Sequence, residues 1–157
     1  MCAAHRRGVA ELVSRRGNDF ADRFPEIAEE LLELPDVVFD AELVILDAEG
    51  RRQFERLVSR SRRTRWISIQ HGARMDAAVL FVFDIFELAG EGIRAKPLLD
   101  RRTLVDATLP DLKGVRFCGH VDEGGTMLFK VADGFGLEGI VAKRAEARYP
   151  SGGRSAD

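Results

Sequence analysis

Three acidic residues of this chain interrupt stretches that are otherwise apolar: Glu42 between Ala41 and Leu43, Asp84 between Phe83 and Ile85, and Glu138 ahead of Gly139, Ile140, Val141 and Ala142. A carboxylate in such a stretch is costly unless it faces water, a partner or a metal. Each one alone is accounted for by an outward polar face. Three converging on one cleft would suit a hard cation and a sugar hydroxyl, with Lys143 supplying positive charge for a phosphate. Phe83 suits either of two roles, a core side chain or a platform for a base. Glu138 and Lys143 stand five apart, which turns them to opposite faces of a regular strand, so a bulge or Gly139 has to bring them to one ligand. His5, His71, His120 and Cys118 have no metal-ligand spacing and read as structural or surface residues, because zinc needs three or four converging ligands.

The elements that must hold these residues follow from periodicity. Residues 9–14 read as a short strand and 15–19 as a turn. Pro25 suits a first helical position, and Ile27, Leu31 and Leu34 recur at helical spacing until Pro35. Residues 37–46 change period: Asp40, Glu42 and Val44 share one strand face, and Phe39, Ala41, Leu43 and Ile45 the other. Asp47 to Gly50 turn the chain, and Phe54, Leu57 and Val58 mark a short amphipathic helix. Residues 77–88 are too rich in β-branched and aromatic side chains for a helix and read as a central strand buried on both faces. A turn at Gly90 to Gly92, a helix over 98–109, a strand over 115–121, a helix over 126–135 and a strand over 137–144 complete the pattern. Short helices and strands without regular βαβ alternation predict an α+β fold of mainly antiparallel sheets flanked by short helices.

Length and charge bound the function. The 157 residues make one ordinary domain, 45% hydrophobic and 32% charged, so disorder and a membrane span are poor readings. A net charge of −2 excludes a globally basic nucleic-acid binder, but the neutrality is a sum of opposed blocks. Residues 25–50 carry nine acids and no Lys or Arg, whereas 51–74 carry eight arginines against Glu55 alone. The basic block either contacts phosphates or forms a solvated helix face plus loop. Only four lysines are present, Lys96, Lys113, Lys130 and Lys143. Two cysteines without a C-x-x-C, and no apolar leader, point to a cytoplasmic protein with no membrane partner.

Five runs carry a specific resemblance. Ser14-Arg15-Arg16-Gly17-Asn18-Asp19-Phe20, Arg23-Phe24-Pro25-Glu26-Ile27, Asp40-Ala41-Glu42-Leu43-Val44, Phe81-Val82-Phe83-Asp84 and Leu137-Glu138-Gly139-Ile140-Val141-Ala142-Lys143-Arg144 follow one another in the order and approximate spacing of the ATP-dependent DNA ligases. Tyr149 to Ser155 resembles the loop that follows in that family. The chain thus resembles the adenylation (nucleotidyltransferase) domain of bacterial end-joining ligases over nearly its whole length.

The resemblance implies roles residue by residue. Glu42 would bind the ribose of ATP, Phe83 would stack on adenine, and Lys143 would lie on the phosphate side. Glu138 would assist Mg²⁺, and Arg15 and Arg16 would meet phosphates of nicked or broken duplex DNA, with other end-joining proteins as further partners. Ala41 replaces the family's usual glycine and adds a Cβ where the backbone is expected to come close. The implied reaction belongs to DNA repair and recombination. A lysine amine attacks the α-phosphorus of ATP as the bond to pyrophosphate breaks. AMP then passes to a 5′-phosphate and is displaced by a 3′-hydroxyl.

That lysine sits in a Lys-x-Asp-Gly motif in the family, upstream of the Ser-Arg run, and these 157 residues contain no such motif. No catalytic residue is therefore assigned. The expectation is a single adenylation domain incomplete at both ends, without the OB-fold domain and inactive in isolation. A non-catalytic ATP- or DNA-binding remnant or interaction module is the competing reading, with the arginine block as its support.

Overall fold

The computed structural model describes residues 1–134, 137 and 139–149. The first two strands, β1 (Cys2–Arg6) and β2 (Val9–Val13), are joined by Arg7 and Gly8, both at positive φ (52° and 79°), as a two-residue hairpin matched to the right-handed strand twist requires. Helix α1 (Pro25–Leu32) follows, with proline at its start, and strand β3 (Val37–Ile45) after it. Helices α2 (Phe54–Ser61) and α3 (Trp66–Met75) lead into β4 (Ala78–Leu88). Ala89 and Gly90, again both at positive φ, turn β4 into β5 (Glu91–Gly92). Helix α4 (Leu98–Thr108), strand β6 (Val115–Phe117) and helix α5 (Gly125–Gly134) complete the described elements.

The six strands form one sheet in the order β2-β1-β3-β4-β5, antiparallel throughout except that β6 lies parallel to β4. β3 occupies one edge of β4, so β5 and β6 share the other, β6 on Leu80 to Val82 and β5 on Glu87 and Leu88. This is the α+β architecture expected from the pattern. The core lies on one sheet face, where Ala3, Leu12, Phe39, Ala41, Leu43, Leu80, Val82 and Ile85 pack with Ile27 and Leu31 of α1 and Val105 of α4. Among the described residues no helix is long and apolar enough to cross a membrane.

The acids of α1 do more than face water. Glu30 accepts the backbone N–H groups of Gly114 (2.9 and 2.8 Å) and Val115 (2.9 Å), and Glu26, one helical turn earlier, accepts that of Ala78 at 3.0 Å. One helix face thereby fixes where β4 and β6 begin. Gly114 permits the approach, since a Cβ there would stand 2.9 Å from Ile27 Cδ1 and 3.3 Å from Glu30 Oε1. Glu26 also pairs with Arg60 of α2, whose side chain is fully buried. The Arg60 guanidinium donates to the carbonyls of Asp76 (2.8 Å) and Arg23 (2.9 Å) and lies 4.5 Å from the Phe24 ring. Gly72 lets α3 pass the buried Arg60, because a Cβ there would stand 3.0 Å from Arg60 Nε and 3.3 Å from its Cδ.

Two elements, β1 and α3, lie outside the expected pattern, and some expectations change: β4 buries one face but leaves Val79, Phe81 and Phe83 on the other only half-buried. β1 is a strand although Cys-Ala-Ala-His-Arg has no β-branched residue; pairing on both edges, with β2 and β3, overrides its weak propensity. Residues 66–75, within the arginine block, form α3. The strand expected over 115–121 ends at Phe117. Over 137–144 none of the described residues is in a strand. Their backbone leaves α5 through Leu137 N–H to Ala132 O, and Ala145 O then accepts Leu99 N–H, so the segment runs by the start of α4 instead of along a sheet edge.

Removing Glu26 tests the buried pair. Glu26→Gln leaves the Arg60 charge uncompensated and should cost about 3–5 kcal/mol in denaturant unfolding, whereas Arg60→Met combined with Glu26→Gln should recover much of that loss.

Candidate functional site

The sheet face opposite the core carries the candidate residues. On β3, Asp40 and Glu42 alternate with the buried Phe39, Ala41 and Leu43, as the period-2 pattern expects. Ala41 lies within the strand with its Cβ in the core, pointing away from the open face, and its N–H bonds Met1 O at 2.9 Å. Glu42 stands opposite Phe81 of β4, and Phe81 opposite Arg116 of β6. Carboxylate, phenyl ring and guanidinium thus form one row across three strands.

β4 breaks its own alternation. Asp40 pairs with Asp84 but Ala41 with Val82, leaving Phe83 as an extra, unpaired residue. A second register shift leaves Phe86 unpaired in the same way. Because of the first bulge, Val82 and Ile85 both reach the core although three positions apart, and Phe83 stays half-buried beside the Glu42 row.

Asp84 leaves the expected set of converging carboxylates. It is 1% exposed and is held by Arg101 of α4, 2% exposed, through Nε to Oδ1 at 2.7 Å and Nη2 to Oδ2 at 2.8 Å. Its Oδ1 also accepts the Ile85 N–H at 2.9 Å, so this buried carboxylate, gripped by a guanidinium fork, is a structural pair whose charge is already compensated. Arg101 also donates to the carbonyls of Lys96 and Ala147, at 3.1 Å for the latter. Among the described residues no three His, Cys, Asp or Glu converge as a metal site.

Glu42 is accessible, its side chain half exposed, with Arg52 Nη1 at 3.5 Å. The turn after β3 brings Arg52 there. Asp47 accepts the N–H groups of Arg51 (2.8 Å) and Glu49 (3.1 Å), and Leu46 bridges to Arg52. The Arg51 backbone N–H, with its guanidinium, holds the Asp47 carboxyl below the usual range. In the sequence Arg52 belongs to an undivided basic block, and the turn residues Asp47 to Gly50 are the signal that it folds back toward β3.

Tyr149 is a second residue missed. Its hydroxyl donates to Asp40 Oδ2 at 3.2 Å, its ring meets the Phe86 ring edge-on at 4.4 Å, and its N–H bonds Arg94 O at 2.9 Å. Burial first, and then the Asp40 charge, push its hydroxyl above the usual tyrosine range.

The remaining expected residues are more dispersed. Lys143 is exposed. Glu138 lies outside the described residues. With no strand over the described part of 137–144, the odd spacing from Glu138 to Lys143 no longer decides their faces, and Gly139 takes φ +149°, a backbone that favours glycine. Arg15 and Arg16 are exposed in the turn after β2, closed by Ser14 N–H to Asn18 O at 2.9 Å. Val13, Cys2 and Asp40 share one row, so that turn lies at the Glu42 end of the sheet, two strand spacings or about 10 Å across. A depression of about 490 Å³ between α4 and β6 shares Arg116 with this face but none of Glu42, Phe83 or Lys143. The open row can accept hydrogen bonds from hydroxyls at Glu42, stack a planar ring on phenylalanine and meet phosphate at the flanking guanidinium groups.

Comparisons with known proteins bear on this arrangement. The family described as ATP dependent DNA ligase domain matches residues 1–157. The chain is 30% identical to the SPbeta prophage-derived DNA ligase-like protein LigB of Bacillus subtilis over 146 residues, 92% of this chain and 50% of that protein. It is also 30% identical over 151 residues to the multifunctional non-homologous end joining DNA repair protein LigD of Mycobacterium tuberculosis, 95% of this chain and 18% of that one. The crystal structure of the ligase domain of M. tuberculosis LigD superposes with a TM-score of 0.75 at 27% identity, over 99% of this chain and 47% of the other. A mycobacterial DNA ligase D complexed with ATP and MES gives 0.73 at 26% identity, over 99% and 48%. The chain therefore spans half or less of each of these proteins.

Two measurements separate holding from accessible groups on this face. Asp84→Asn should lower stability by about 3–5 kcal/mol by stranding Arg101, whereas Glu42→Gln should change it by about 0.5 kcal/mol or less, as read from thermal unfolding. Tyr149 is the chain's one tyrosine, so ultraviolet absorbance of tyrosinate reports it alone. A raised folded pKa means that its stabilising contact is intact below about pH 10 and is lost as pH rises through the folded value. The titration midpoint should lie above 10 and fall toward it in Asp40→Asn; a native midpoint at or below 10 would contradict the contact.

Proposed function

This chain belongs to the ATP-dependent DNA ligase domain family, and from that premise we propose that its open β3–β4 face binds ATP as part of the adenylation step by which DNA breaks are sealed. The observation that carries the reading is the row in which exposed Glu42 stands beside Phe81 and the bulged Phe83, with guanidinium groups at both ends. Glu42 accepts the ribose hydroxyls, an aromatic ring of β4 stacks on adenine, and Lys143 neutralises phosphate. Arg15 and Arg16, at the same end of the sheet, meet the backbone of nicked or broken duplex DNA, and end-joining proteins are the partners.

ATP fits the groups present: a half-exposed carboxylate beside Arg52, flanking arginines and half-buried aromatics. Mg²⁺ is bound in such sites by one or two carboxylates together with the phosphates, so the absence of a three-acid cluster among the described residues does not conflict with it. The chemistry it supplies is charge neutralisation on the phosphates, and no step is routed through it. The attacking amine belongs to a Lys-x-Asp-Gly motif that residues 1–157 do not contain, so these residues bind and orient the nucleotide without forming the covalent bond.

The experiment pairs two readouts. Calorimetric titration with ATP and Mg²⁺ should show binding that Glu42→Ala and Phe83→Ala each weaken about tenfold or more. Incubation of residues 1–157 with radiolabelled ATP should leave no covalent protein–AMP. Absence of ATP binding would sink the first claim, and a labelled band stable to hydroxide but labile to acid would sink the second.

A further inference from the structure

The fold sorts the eight arginines of residues 51–74 into two groups. Arg51 pairs with Asp47 and Glu49, Arg52 with Glu42, Arg56 and Arg63 with Asp76, and Arg60 with Glu26. Arg62, Arg65 and Arg74 are exposed and form no ion pair with any described residue. These three surround the outer face of α3. Arg62 and Arg65 lie in the turn that enters the helix, and Arg74 follows Ile67 by seven residues, two turns along the same face. On that face Trp66 and Ile67 are 72% and 76% exposed. From Arg56 to Met75 there is no acid, and Asp76 is already shared by two arginines, so nothing local neutralises the three.

We propose that this outer face of α3 is a docking surface for single-stranded DNA, with Arg62, Arg65 and Arg74 on consecutive phosphates and Trp66 stacked on an unpaired base. The charge fits an anionic chain, because guanidinium forks match phosphate oxygens and their binding releases condensed counterions. The indole selects the kind of chain. A duplex keeps the faces of its bases inside the stack, whereas an unpaired base offers an open ring that can cover an exposed tryptophan, the arrangement single-strand binders use. An overhang or frayed end next to a break presents both features at once. The surface lies on α3, apart from the β3–β4 row, and does not depend on ATP binding there.

Trp66 is the sequence's single tryptophan, so its fluorescence reads this surface directly. The chain is titrated at low salt with a thymidine oligonucleotide, a blunt duplex of equal length, polyglutamate, and vesicles of anionic lipid. The oligonucleotide should quench Trp66, and three phosphate contacts predict a log–log salt slope of about −2, a roughly sixteen-fold loss of affinity between about 50 and 200 mM salt. The triple variant Arg62→Gln, Arg65→Gln, Arg74→Gln should bind about tenfold or more weakly with a flatter slope. Trp66→Ala, followed by anisotropy of a labelled oligonucleotide, should also weaken binding about tenfold. The wild-type slope tests the contacts without any substitution. The proposal is overturned if the oligonucleotide leaves Trp66 unquenched at low salt, if duplex, polyglutamate or vesicles quench Trp66 as well or better, or if the variants bind the oligonucleotide like the wild type.

Discussion

The arrangement of the candidate face depends on one buried ion pair. Asp84 sits in the central strand β4 with almost no exposure, and such a carboxylate is tolerable only when a fixed cation and hydrogen bonds replace its water. Arg101 meets that demand with two parallel bonds and places its Nη1 on the carbonyls of Lys96 and Ala147. One guanidinium therefore locks α4 to β4 and draws residues near 147 over the sheet. Tyr149 follows two positions on, and its hydroxyl reaches Asp40 on β3. The bulge at the half-buried Phe83 adjoins the same aspartate.

Opposed charge blocks serve the fold more than they decorate its surface. Glu26 and Glu30 of the acidic block cap the starts of β4 and β6, and Arg60 of the basic block is buried against Glu26. Five of the eight arginines are satisfied by acids. What remains uncompensated is concentrated on α3 beside an exposed tryptophan, and a sign count along the sequence could not have separated the two groups.

Much of the fold was legible because period and turn chemistry act locally. The alternation around Glu42, the proline at the start of α1 and the apolar run of β4 each predict their element from neighbouring residues alone. Where partners lie far apart in sequence, local patterns are silent. Asp84 and Arg101 are 17 residues apart, Asp40 and Tyr149 109 apart, and nothing in either neighbourhood announces the other. β1 escaped because its propensity is poor and its stability comes from strands on both sides. Residues 137–144 misled in the opposite direction: an apolar run reads as a strand, but its described part is exposed and finds no sheet edge. On the candidate face the pattern placed Glu42 on the polar side of β3 and left Phe83 between core and platform, whereas Arg52, Arg116 and Tyr149 required tertiary structure.

The separation of carboxylates by environment joins these points: Asp84 is buried in the scaffold, and Glu42 stays half exposed beside Arg52. The most direct test is backbone amide chemical-shift mapping by NMR during titration with ATP and Mg²⁺. Binding at the open row predicts the largest shifts at Glu42, Phe81, Phe83 and Arg116, with small ones across α1 and the core. Saturable shifts that leave those four amides unmoved, clustering instead around the 109–113 depression or on α3, would contradict it.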